Sequence, residues 1–252
     1  MTILSSISHF IYIFAAIMAT TKNDMASPHN EIVLGENEMV CSLTNRVVKA
    51  RFTHGNAKGQ LAMTYTLKPD GTLLVAQDFT ADKTVEKGAE MFKFGMQMQM
   101  PERFSAIEYY GRGPVENYSD RNNSEFIGKY SANVSDEYYE YVRPQESGNH
   151  TDVRTFKVYD KTTGEGLIFM SDAPMQCSAI NYLMDDLDDG MHKDKKWGHH
   201  SGDLIPRHLT YVNILKYQIG LACENSWGAW PLEKYRLPYK DYSFRFIIKS
   251  TK

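Results

Sequence analysis

Four acidic side chains, Glu116, Asp120, Glu146 and Glu224, stand in stretches of the sequence that read as turns. Two facing carboxylates could act as general acid and base, and cleavage of a glycosidic bond needs such a pair, about 5 Å apart for retention of configuration and farther apart for inversion. An acidic residue in a loop is more often a cap or an ion-pair partner. No spacing among the four singles out two of them, so no catalytic residue is assigned. Glu146 and His150 could be offered as base and acid across one sugar. Trp227, in Asn225-Ser226-Trp227-Gly228, is a large aromatic on a turn-forming loop, either folded into the core or presented as a flat platform.

Other chemistries fail on spacing. Asp185, Asp186, Asp188, Asp189 and Gly190 suggest a calcium loop, but with Gly190 sixth the third ligand position falls on Leu187 and the twelfth on Lys196. The cluster reads as a solvated acidic cap. His192, His199 and His200 are too unevenly spaced for a zinc site, and adjacent histidines on a strand point to opposite faces. No metal ligand is assigned. A G-x-S-x-G elbow is absent, and Gly111-Arg112-Gly113 lacks the third glycine and following helix of a phosphate-cradling loop.

The elements that must position these residues are mostly strands. Leu61–Leu67 alternates and is followed by Lys68-Pro69-Asp70-Gly71, a turn signal, and then by a partner strand from Thr72 to Phe79. Met91–Met100 alternates and reads as core packing. Tyr110–Arg121 holds two glycines and a proline in four residues, which predicts that the chain bends from Gly111 onward. Glu116, Asn117, Tyr118, Asp120 and Arg121 then offer hydrogen bonds at nearly every position. The plain reading of such a stretch is a surface turn with a charged rim. Arg143–His150 is a second polar turn. Strands are expected at Thr151–Tyr159, Gly166–Met170, Val212–Leu221 and Tyr242–Ile248, and one short helix at Tyr182–Asp189. Strands never alternate with amphipathic helices, so the fold class is an all-β sandwich.

A chain of 252 residues can bury one large core. A formal net charge of -3 gives no case for nucleic acid or an anionic membrane surface as partner. Cys41, Cys177 and Cys223 are odd in number and far apart, which is no disulfide framework and leaves the redox compartment open. Ile3–Ala19 is mostly apolar and reads as a signal core, a marginal membrane span, or a segment foreign to the fold. Residues 1–24 are therefore set apart as an apolar leader from a sandwich domain at 25–252.

The order Gly-Arg-Gly-Pro-x-Glu-Asn-Tyr-x-Asp-Arg at 111–121 resembles the signature of the C-terminal domain of β-galactosidases in glycoside hydrolase family 2. Glu224–Ala229 looks like that domain's other hallmark loop, and Arg143–Gly148 resembles a third conserved turn. The resemblance covers roughly Glu36 to the C-terminus. It implies a large antiparallel β-sandwich of the galactose-mutarotase-like (supersandwich) type, its first strands missing or replaced by the leader. It also implies that the catalytic glutamates lie on a separate TIM-barrel chain, the partner of this one, so that the small chain is inactive alone and carries no cofactor. The substrate-binding role falls on Trp227, with Asn225 beside it, toward a β-galactoside sugar. The sequence departs from the family pattern at Ala222-Cys223-Glu224, where Gly-Gly-Asp is usual. Rival readings are an aldose mutarotase-like enzyme and a stand-alone carbohydrate-binding module.

Overall fold

The computed structural model describes residues 32–34, 38–41, 46–54, 58–86, 88, 90–142, 144–188, 201–221 and 229–251. The leader and the boundary at 24 and 25 lie outside them. Twelve strands are described, beginning with β1 (Ile32–Leu34), β2 (Glu38–Cys41), β3 (Arg46–His54), β4 (Gly59–Leu67), β5 (Leu73–Ala81) and β6 (Lys93–Pro101). They continue as β7 (Ala106–Gly113), β8 (Phe126–Asn133), β9 (His150–Tyr159), β10 (Gly166–Ile180), β11 (Leu209–Gln218) and β12 (Tyr242–Ser250). The α-helix among the described residues is one turn, α1 (Met184–Leu187), shorter than the stretch read from the sequence.

The Pro-Asp-Gly signal makes the hairpin it predicts. β4 and β5 pair from Leu67↔Leu73 to Gly59↔Ala81, and Gly71 takes a φ of +79° that a side chain would resist. From β1 the sheet order runs β3, β4, β5, β12, β10, β9, β7 and β8, with each neighbouring pair antiparallel. Sequence reading captured only the first third of β10. The strand runs for fifteen residues, and register shifts on either side of Met175 let its two ends serve different neighbours. Gly166–Met170 lies between β9 and β12, whereas Gln176–Ile180 pairs with β11, which carries β6 in turn.

This bend brings β6 and β11 over the main sheet and closes an all-β sandwich. Phe94, Met96, Met98, Val212 and Ile214 share one water-free cluster with Phe79, Phe156, Phe169, Phe244 and Phe246. Each large apolar side chain so buried contributes about 1.5–3 kcal/mol relative to exposure. The methionine row is core, as its alternation predicts. Its second face is buried as far as Gln97, and Gln99 is exposed. Gln97 there pairs across to Asn213, whose amide donates to Ser178 at 2.8 Å, so the buried polar face is partly satisfied within the sheet.

One expectation needs correction. The chain does not bend at Gly111: β7 continues through Gly111 and Arg112 to Gly113, and the turn starts at Pro114. The glycines serve close approach instead of turning. A Cβ at Gly111 would stand 2.8 Å from Cγ2 of Val153, and one at Gly113 would meet the Tyr109 hydroxyl. β9 and the Tyr109 ring occupy that space.

Candidate functional site

The two polar turns expected from the sequence are joined through Asn117, which is fully buried. Its backbone N–H donates to the Asn149 carbonyl at 2.6 Å, and its carbonyl accepts from Asn149 Nδ2 at 2.8 Å. Its side-chain amide donates to the carbonyls of Arg112 and Val115, at 3.1 and 3.0 Å. Its Oδ1 accepts from the Thr151 backbone N–H at 3.0 Å and from Thr151 Oγ1 at 2.5 Å. The hydrogen-bonding capacity of an asparagine side chain is thereby used in full. The motif's Asn is a structural knot that sets turn 114–121 against turn 144–149.

Glu116 points into the same junction with only 5% of its side chain exposed. One oxygen accepts from the Gly148 backbone N–H at 2.6 Å and from the Tyr118 hydroxyl at 3.3 Å. The other accepts from Nη2 of Arg121 at 2.7 Å and from the Tyr141 hydroxyl. Burial pushes the phenols of Tyr118 and Tyr141 up, and the adjacent Glu116 carboxylate adds to it. A carboxylate so tied is a clamp between turns.

Glu146 is equally engaged. Both of its oxygens lie 2.7 Å from Nζ of Lys93, a lysine buried at the start of β6. Burial raises the Glu146 carboxyl above its ordinary range, while Lys93 pulls it back. His150 is sealed from solvent, its ring stacked on Tyr109 at 4.3 Å. Its Nε2 lies 2.5 Å from Glu137 Oε2 and its Nδ1 3.3 Å from the Arg112 carbonyl. Neither member of the suggested acid and base pair is free for substrate. Asp186 caps α1 through the Leu183 N–H and pairs with Arg207, in keeping with the acidic-cap reading.

β11 ends where these two turns meet. Lys93 is the sheet partner of Gln218, the last residue of β11. Two residues later, a Cβ at Gly220 would stand 2.3 Å from Asp120 Oδ2, so the chain can leave β11 this close to the first motif only as glycine. On the far side Trp230 packs on Phe92 at 6.0 Å, with the Arg236 guanidinium 5.0 Å from its ring centre. Trp227, Asn225 and Glu224, together with His192, His199 and His200, lie outside the described residues. Among the described residues no group of three potential metal ligands converges.

Sequence reasoning missed three contributors. Lys93 was hidden in the methionine row, and Glu137 and Tyr141 in an acidic, tyrosine-rich run. The pair of Arg112 with Asp152 at 2.5 Å also had no local signal. It holds Asp152 at a φ of +54°, a left-handed conformation that aspartate tolerates better than most residues.

Residues 12–248 match the model of a protein family described as β-galactosidase small chain. A β-galactosidase of Halalkalibacterium halodurans is 33% identical over 186 residues, which are 73% of this chain and 18% of that protein. A β-galactosidase of Lactobacillus delbrueckii subsp. bulgaricus is 30% identical over 184 residues, 72% of this chain and 17% of that protein. Among solved structures, an α-galactosidase from Lactobacillus brevis aligns with a TM-score of 0.48 at 10% identity, over 92% of this chain and 28% of that one. The chain thus spans less than a fifth of the length of these two curated relatives.

Proposed function

The chain belongs to the β-galactosidase small-chain family, and from that membership we propose that it is the small-chain domain of a β-galactosidase of glycoside hydrolase family 2. In this reading it shapes the sugar site of a separate catalytic barrel chain and supplies Trp227 as an aromatic platform at the mouth of that site. The supporting observation is that Asp120 abuts Gly220 and Glu146 binds Lys93, the sheet partner of Gln218, at the exit of β11, after which the sequence runs on to Asn225 and Trp227. A chain whose carboxylates are tied into clamps is suited to positioning a loop. A mutarotase reading has less support, since Glu146 is bound to Lys93 and His150 is sealed behind Glu137 and Tyr109.

The test is reconstitution. The purified chain alone is expected not to hydrolyse a chromogenic β-galactoside, and adding the matching barrel chain should create activity. In that complex Trp227→Ala should raise KM by an amount equivalent to about 1–2 kcal/mol, with the melting curve unchanged. Hydrolysis by the chain alone would overturn the proposal. An early-melting Trp227→Ala variant with unaltered kinetics would move Trp227 from the sugar site into the core.

A further inference from the structure

Around the Glu116 junction, two residues have anchored backbones and half-exposed side chains, and the Arg121 guanidinium lies over the rings of Tyr118 and Tyr141 at 5.3 and 5.6 Å. Arg121 exchanges both backbone hydrogen bonds with Tyr118, at 2.8 and 3.3 Å. Its described bonds to acceptors, Glu116 Oε1 and the Tyr141 hydroxyl, both run through Nη2. Among the described residues, Nε and Nη1 are given to no acceptor, and 47% of the side chain is exposed. Tyr139 is anchored by its backbone N–H, which donates to Ser147 Oγ at 2.7 Å, while 53% of the residue is exposed and its ring leans on Tyr141 at 4.6 Å.

We propose that Arg121 and Tyr139 form a pyranose-binding subsite at this mouth, taking the sugar on the leaving-group side of a disaccharide galactoside. The inference rests on the small-chain reading above. The chemistry favours a neutral sugar over an anion, because the buried carboxylate of Glu116 already offsets the guanidinium charge. What the guanidinium retains is a planar set of N–H donors, oriented by Glu116 and suited to neighbouring hydroxyls. The Tyr139 ring offers the flat apolar face that the C–H side of a pyranose covers. Asp120, which follows Ser119 and precedes Arg121, abuts Gly220, so the subsite lies beside the chain as it leaves β11.

The competing explanation is that Arg121 only neutralises Glu116. Tyr139→Ala removes an exposed ring, and Arg121→Lys keeps the charge beside Glu116 but loses the planar donor edge. In the reconstituted complex, each variant should raise KM for lactose about two- to ten-fold relative to KM for a nitrophenyl β-galactoside, with unchanged melting. Equal KM changes for both substrates, or none, would overturn the subsite. If the wild-type chain fails to activate the barrel chain, the small-chain proposal falls by itself. The subsite is then read by saturation-transfer NMR of lactose with this chain alone. Transfer abolished by Tyr139→Ala supports it, whereas transfer absent in the wild type, or surviving both substitutions, overturns it.

Discussion

Along β5 and β12, Val75, Phe79, Phe244 and Phe246 exclude water with side chains that make no hydrogen bond and fit by shape alone. Around Asn117 the same exclusion is achieved by polar groups, each of which needs one particular partner. The two regions differ in what they tolerate. An apolar core loses stability in proportion to the volume and area changed, and it can repack. A buried polar junction fails when one atom changes from donor to acceptor, because the desolvation cost remains and the bond does not. The junction that carries the family signature is therefore the brittle part of the molecule.

The sharpest way to break this comparison is an isosteric change on each side. Asn117→Asp keeps the shape but sets an oxygen against the carbonyls of Arg112 and Val115 and buries a charge. It should cost about 3 kcal/mol or more in denaturant unfolding. A loss under 1 kcal/mol would mean that the turns are held by something else. Met96→Leu, in the fully buried row of β6, preserves apolar volume and should cost less than about 1.5 kcal/mol by the same measurement. A larger loss there would show the core to be as shape-specific as the junction.

The smallest expected effect is a slope with pH. Because burial raises the Glu146 carboxyl, the folded chain keeps a proton that the unfolded chain releases just above the ordinary glutamate pKa. Stability from this group is full below the unfolded pKa and is lost as pH rises through the folded one. Melting temperatures across that window should therefore show a decline in the wild type that the double variant Lys93→Met with Glu146→Gln lacks. The double variant avoids leaving Lys93 buried without its partner. Identical slopes would place the Glu146 proton outside this linkage.

What was legible in the sequence was local. Lys68-Pro69-Asp70-Gly71 marked its hairpin because Pro fixes φ and Gly permits a positive φ within the turn itself, and period-two patterning identified β4, β5, β9 and β12. β8 was missed: its residues are exposed or half-buried and show no clean alternation. The glycines of β7 were misread, since composition reports that a side chain is missing and not whether the space went to a turn or to a neighbour's Val153.

The sequence by itself determined the all-β class and the three motif stretches, because backbone preference and residue order are properties of neighbours along the chain. Only the tertiary structure decided what those motifs do for one another. Lys93 meets Glu146 across 53 residues, and His150 meets Glu137 across a turn. Burial, which converts an acidic loop residue from a free base into a clamp, is set by elements that arrive from elsewhere in the chain. Asn117 looked like one hydrogen-bonding residue among several. It became the knot because β7, β9 and the turn before β9 deliver Arg112, Thr151 and Asn149 to it at once.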